Sequence, residues 1–317
     1  MSKNILANDG IDLEGKALLE KAGFTIITKK VEQENLIDAI NEHKYIGLTV
    51  RSATKVRKDL IDACPSLKLI GRGGVGMDNI DVDYARSKGL EVINTPAASS
   101  HSVAELVFAH LFNCARFLYD SNRQMPVNGS TQFDLLKKKY AKGVELKGKT
   151  IGIVGFGRIG QAVSKIALGC GMKVIAFDPF LKEALIYIDI HGAEQKVSVK
   201  IHTISLEKLL AESDFITFHV PGGKLITKTE FEQMKTGVCL VNASRGGVIE
   251  EADLIEALNS GKVSHAALDV FENEPNPSNA ILSHPKISLT PHIGAATEEA
   301  QERIGIELAE LIISKLG

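Results

Sequence analysis

No two cysteines in this chain stand close enough to form a CxxC pair: the four lie at 64, 114, 170 and 239. That spacing excludes a local metal or redox motif and reads as small buried apolar residues in a reducing compartment. An excess of one charge is also missing. The 37 basic and 39 acidic residues leave a formal net charge of -2, which argues against a dedicated nucleic-acid binder or a basic membrane-surface protein. No apolar run reaches eighteen residues, and the first ten, MSKNILANDG, lack the long apolar segment of a secretion signal. A soluble cytoplasmic protein is the expectation. Low-complexity tracts are absent too, and nothing repeats beyond an alternation of strand-like and helix-like stretches.

What is present suits a globular α/β protein. The 317 residues suggest roughly two domains, and a hydrophobic content of 44% supplies a packed core. Short apolar runs at Asn4 to Ala7, Phe24 to Thr28, Tyr45 to Val50, Leu67 to Ile70 and Glu91 to Asn94 alternate with amphipathic stretches. Such alternation predicts a parallel sheet covered by helices. A long helical pattern over Ser99 to Asp120 then leads onward, with Ala104, Val107, Phe108, Leu111, Phe112 and Ala115 on one apolar face. Residues 121–148 hold Pro126, Asn128-Gly129 and three successive lysines, and read as an extended arm. After 179–203, a polar and irregular excursion, the alternation resumes and ends in an amphipathic stretch from Thr297 to Leu316, which could return to pack on the first unit.

The densest signal is Thr150 to Asp178. An apolar run, Ile151 to Val154, meets Gly155, Gly157 and Gly160 in G-x-G-x-x-G spacing, followed by a helical segment, a second apolar run and Asp178 eighteen positions past Gly160. The first glycine makes the turn, the second lets a pyrophosphate approach the backbone, and the third lets helix and strand pack closely. The helix amino terminus faces the anion. Asp178 is placed to accept the adenosine ribose hydroxyls and to repel a 2′-phosphate, and no arginine follows it, so NAD is preferred over NADP. Gly71 to Gly76 repeats the glycine spacing, but only a short charged helical stretch follows. That loop is a tight turn or a supporting element.

Three polar spots follow successive strands of this second region: Asn242 to Gly247 with Arg245, Asp269 to Pro275 with Glu274, and Pro291 to Thr297 with His292. Ligands in open α/β sheets sit at strand carboxyl ends. An arginine offers a two-pronged contact to a carboxylate, and a histidine beside a carboxylate can take and give a proton near neutral pH.

Together Gly155 to Gly160 with Asp178, NASRGG at 242–247, ALDVFENEP at 267–275 and PHIGAAT at 291–297 resemble the D-isomer-specific 2-hydroxyacid dehydrogenases. Within that family VRSATKVRKDLI at 50–61, GRGGVGMDNID at 71–81 and INTPAASSHSVAEL at 93–106 most resemble the branch acting on 3-phospho-D-glycerate. The resemblance implies two Rossmann-like parallel-sheet domains with a cleft between them: a substrate domain of residues 1–98 and 295–317, and an NAD domain of 99–294. It implies Arg245 on the substrate carboxylate, His292 as general acid/base and Glu274 orienting it. Asp269 would hold the nicotinamide carboxamide, Arg158 and Ile159 would cap the pyrophosphate, and Val75, Val220, Pro221, Ala243 and Gly294 would line the cofactor. Arg51, Thr54, Gly74 and Val75 would meet the substrate, with Arg51 and Thr54 on the phosphate side; Arg51 could instead cap the helix that follows. Lys138 matches a basic group that relatives contribute from a second subunit. A homodimer, and no feedback through a carboxy-terminal regulatory domain, are further expectations. The rivals are a glyoxylate or hydroxypyruvate reductase, and a cofactor-sensing corepressor.

Overall fold

Ile5 and Leu6 are sequence neighbours, both wholly buried, yet they belong to different apolar clusters. Successive side chains on a strand point to opposite faces, so a strand buried at every position must be covered on both. The same holds for Phe215 and Ile216, and for Leu240 and Val241. In this computed structural model, which describes residues 3–188, 192, 194 and 197–317, these runs build two parallel sheets in two units. One unit is Met1–Ser102 with Ala295–Gly317 and the other is Val103–Gly294.

The first unit holds β1 (Asn4–Ala7), β2 (Thr25–Ile27), β3 (Gly47–Val50), β4 (Leu69–Arg72) and β5 (Glu91–Asn94), in the order β2-β1-β3-β4-β5. Pairing reverses direction between β1 and β3, so their carboxyl ends flank the switch point where open sheets take ligands. The final helix, Glu298–Leu316, buries Leu308, Ala309 and Ile312 against Ile5, Leu69 and Ile93 of this sheet. It can lie close to the Leu13–Lys21 helix because Gly15 faces Gly305: a Cβ at position 15 would overlap the Gly305 backbone.

The second unit holds β6 (Thr150–Val154), β7 (Lys173–Phe177), β8 (Glu183–Ile188), β9 (Val197–His202), β10 (Phe215–Phe218), β11 (Val238–Asn242), β12 (Val263–Leu268) and β13 (Ile287–Leu289). Six of them form a parallel sheet in the order β13-β12-β11-β10-β6-β7. Its switch point lies between β6 and β10, directly under the Gly155 to Gly160 turn.

Two stretches differ from the sequence reading. Residues 121–148 are not an extended arm, because Leu118–Lys139 is helical, with Pro126 inside it and a break at Gln132 (φ -129°, ψ 28°). A straight helix would put residues nineteen apart roughly 28 Å from each other. Yet Lys139 Nζ donates to Asp120 Oδ2 at 2.7 Å and the Tyr140 hydroxyl donates to the same oxygen at 2.8 Å. The segment therefore doubles back at its break, a shape that Pro126 and Asn128-Gly129 disguise as loop. The long helix before it also ends early, at Arg116, where Phe117 turns into the left-handed region (φ 56°). The second departure is 179–203, where β8 and β9 pair as an antiparallel hairpin from Glu183↔His202 to Ile188↔Val197. Residues 189–191, 193, 195 and 196 of that stretch lie outside the described residues. Among the described residues, no helix is long and apolar enough to cross a membrane.

Candidate active site

Gly155 takes φ 92° at the end of β6, and its Cα lies so near the carbonyl of His219, just past β10, that a Cβ would overlap it. Gly160 is held as closely against the Gly155 carbonyl, while a Cβ on Gly157 would meet nothing within 4 Å. The loop is thus tight where it touches protein and open where a ligand would approach. The Arg158–Gly169 helix starts there with Gly157 as its N-cap and, among the described residues, no side-chain cap hydrogen bond. Free amides and a helix dipole suit a pyrophosphate. Asp178, at the end of β7, accepts from Phe156 N at 2.8 Å through Oδ2 and from Phe180 N and Leu181 N through Oδ1. It fastens the glycine loop to the neighbouring strand and leaves lone pairs for hydroxyl donors. The donor set and the open face over Gly157 fit a dinucleotide. Val220, next to His219, packs toward Gly155, Pro221 is exposed beside it, Ala243 is partly buried against the sheet, and Arg158 is exposed with Ile159 half-buried.

The turns after β11, β12 and β13 are interlocked. Asn242 shapes the first: its Oδ1 accepts from Ser244 N and Oγ, and its Nδ2 donates to the Arg245 carbonyl. Gly246 then runs so close to the Phe271 carbonyl that a Cβ there would overlap it. This ties the Arg245 turn to the one carrying Glu274, and Glu251 ties it again by accepting from Glu272 N at 2.8 Å. Burial pushes the Glu251 carboxyl above the usual carboxylate range, and the charges of Glu272 and Glu250 push the same way. Arg245 Nη1 donates to the Ser244 carbonyl at 2.7 Å.

Glu274 faces two ways. Its Oε1 accepts from Phe271 N at 2.9 Å, and its Oε2 lies 2.9 Å from His292 Nδ1. His292 has a left-handed backbone (φ 55°) and an exposed side chain. Asp269, 1% exposed, holds the surrounding turn: Oδ1 accepts from the Thr290 hydroxyl and Ile293 N, and Oδ2 from Gly294 N, all at 2.7 to 2.9 Å. The structure therefore brings Glu274, His292, Asp269 and Gly294 together directly.

Sequence reasoning missed His110. It sits on the Ser100–Arg116 helix among Val107, Phe108 and Leu111, is 4% exposed, and makes contacts with Ser288 Oγ (2.8 Å) and Thr290 Oγ1 (3.0 Å). An imidazole inside an apolar helical face was the available signal.

In the first unit Arg51 N donates to Asp9 Oδ2 at 2.6 Å, at the switch point, and Arg51 lines a cavity of about 260 Å³ with Asp9, Asp12 and Gln301. It does not cap the next helix, whose first amide, Lys58 N, donates to Asp81. Thr54 is 3% exposed; its hydroxyl donates to Asp9 Oδ1 and accepts from Asn8 Nδ2. Gly74 is buried, donating its N–H to Thr95 Oγ1, and Val75 beside it is exposed. The Gly71 to Gly76 run packs Gly71 and Gly73 toward Leu308 and Ile304 of the final helix, a supporting role. Lys138 is exposed near the end of the 118–139 segment.

Residues 108–294 match the family model described as D-isomer specific 2-hydroxyacid dehydrogenase, NAD binding domain. The chain belongs to this family of NAD-dependent D-2-hydroxyacid dehydrogenases. Among curated relatives, a hydroxypyruvate reductase of Thermotoga maritima is 43% identical, with 98% of this chain and 97% of that protein covered. A D-3-phosphoglycerate dehydrogenase of Archaeoglobus fulgidus is 40% identical over 98% of this chain, which spans 56% of that protein's length. A D-lactate dehydrogenase of Aquifex aeolicus, solved with NAD and lactic acid, is similar in structure (TM-score 0.75, 28% identity, 98% and 94% of the two chains covered).

Proposed function

We propose that the chain interconverts 3-phospho-D-glycerate and 3-phosphohydroxypyruvate, and that the contact between His292 Nδ1 and Glu274 Oε2 carries the chemistry. The nicotinamide, when bound, gives or accepts the hydride. Glu274 holds the ring by Nδ1, leaving Nε2 to take the hydroxyl proton on oxidation and return it on reduction. Arg245, on a turn braced by Asn242 and Gly246, binds the substrate carboxylate and carbonyl. Arg51 meets the phosphate, supported by its place at the switch point of the first unit and by the absence of an ion pair on its side chain among the described residues. Gly74 and Val75 border the substrate, and Asp178 and the Gly155 to Gly160 turn bind NAD.

A second reading, reduction of unphosphorylated hydroxypyruvate or glyoxylate, is favoured by Thr54 and by the acids near Arg51. The Thr54 hydroxyl is spent on Asp9, and Asp9 and Asp12 line the same cavity as Arg51, so a doubly charged phosphate would meet one cation and two carboxylates. Steady-state rates on phosphorylated and unphosphorylated acids, with NAD and with NADP, separate the readings. A kcat/KM at least tenfold higher for the phosphorylated acid, lost in Arg51→Ala, supports the first; equal values in wild type and variant support the second. Absence of turnover on every 2-hydroxy and 2-oxo acid would sink both. A homodimer is part of the proposal, supported by exposed Leu118, Tyr119, Val127, Phe133 and Leu135 along one segment; sedimentation equilibrium tests it.

A further inference from the structure

The hydrogen bonds around His110 run in one direction. Thr290 has one hydroxyl proton and gives it to Asp269 Oδ1 at 2.7 Å. The Thr290 oxygen must therefore accept from His110 Nε2, 3.0 Å away, which puts the imidazole proton on Nε2. Nδ1 is then an acceptor for the Ser288 hydroxyl at 2.8 Å, and Ser288 Oγ in turn accepts from Asn113 Nδ2 at 2.7 Å. Asn113 is itself anchored, because its Oδ1 accepts from Tyr119 N at 2.7 Å. Every donor in the series points toward the carboxylate of Asp269, which holds Thr290 just before His292 and Ile293 N and Gly294 N just after it. Such chains polarise one another, and each member fixes the rotamer of the next.

We propose that His110 is a positioning residue for the reaction: as a neutral imidazole protonated on Nε2 it locks Thr290 onto Asp269, and so holds the left-handed turn that presents His292. The chain starts where the Ser100–Arg116 helix gives way to the 118–139 segment and ends at the turn after β13. Burial supports the neutral form by pushing the His110 imidazole below its usual range, against the opposing charge of Asp269. The geometry explains why a turn with φ 55° at a non-glycine residue is kept, since backbone in this region needs surroundings that over-determine it. Without the Nε2–H donor, the Thr290 hydroxyl is free to rotate and one of the three donors on Asp269 is lost. His292 then samples orientations away from the substrate, at a cost in kcat rather than in KM, because Arg245 stands on a separate turn.

This inference rests on His292 being the acid/base. His110→Phe keeps a flat ring and removes both nitrogens, and Thr290→Val keeps the branched shape and removes the hydroxyl. Each is expected to lower kcat about tenfold to a hundredfold, as small misplacements of a catalytic group do, with the KM of the oxo acid changed by less than about threefold. The double variant should fall no further than either single one, since both break one chain. His110→Gln, which can donate to Thr290 and accept from Ser288, should recover most of the loss. If His110→Phe does not fold, Thr290→Val compared with Thr290→Ser, which keeps the hydroxyl, gives the same readout. Losses that multiply in the double variant, or kcat unchanged in the folded single variants, would overturn the proposal. His292→Gln separates the two failures: turnover retained there removes the acid/base assignment itself, while turnover lost there with additive His110 and Thr290 effects removes only the positioning role.

Discussion

His292 and Glu274 come from turns eighteen residues apart in sequence and meet at 2.9 Å, through the ring nitrogen Nδ1. If the ring is the proton carrier, His292→Gln should cut kcat by about 10²- to 10⁴-fold, the usual share of general acid–base catalysis, while NADH still binds by fluorescence titration. Glu274→Gln keeps a hydrogen-bonding group at Nδ1 and loses its charge. It should retain more activity than His292→Gln in the same assay, and the reverse order would detach Glu274 from the ring.

Arg245 offers a planar fork that lysine cannot copy. Arg245→Lys should therefore raise the KM of the 2-oxo acid and lower kcat/KM by about a hundredfold or more, the loss expected when a two-pronged contact becomes a point charge. Kinetics with the 2-oxo acid varied at saturating NADH provide the check; a KM within twofold of wild type would place the carboxylate elsewhere.

Gly246→Ala tests the brace between two turns. Its Cβ would strike the Phe271 carbonyl, which is backbone and has little room to yield. The expected result is a loss of about 2 kcal/mol or more in urea denaturation, in the range of strained backbone sites, together with reduced kcat. Gly157→Ala, whose Cβ meets no protein atom, should instead keep stability and weaken NADH binding.

Stability should also depend on pH through His219. Its Nε2 contacts Thr217 Oγ1 at 3.0 Å, its Nδ1 is buried without a partner among the described residues, and burial pushes the imidazole down to about 3. In the unfolded chain it would bind a proton near pH ~6.5. The unfolded state thus holds more protons between those values, so this contribution is intact above about pH 6.5 and is lost as pH falls, by at most about 1.4 kcal/mol per pH unit. His219→Gln should flatten the curve of urea midpoint against pH between 6.5 and 4. A curve as steep as wild type would assign the dependence to other groups.

Much of the architecture was legible because parallel strands covered on both faces leave unbroken apolar runs, and because Gly155 and Gly160 each meet a distinct steric demand. The pairing of Glu274 with His292 could be anticipated as two polar residues after successive strands. The 118–139 segment could not, since Pro126, Asn128 and Gly129 are turn formers by local preference, and the Asp120 to Lys139 contact that closes the bend spans nineteen residues. Thr54 illustrates another limit: a motif gives the position of a hydroxyl, whereas its bonds to Asn8 and Asp9 depend on how β1 and β3 pair. His110 stayed invisible for a similar reason, because its partners Ser288 and Thr290 lie more than 170 positions away.

The contact of Gly15 with Gly305 has a consequence for synthesis. Residues 298–316 cover one face of the sheet built from β1 to β5, so on the ribosome that face stays uncovered until residue 316 has emerged, whereas every strand of the intervening unit is by then already out. Nascent chains that have emerged from the ribosome as far as residue 297 and no further should accordingly acquire protease resistance in the later-made unit first, and leave the earlier-made one open to digestion.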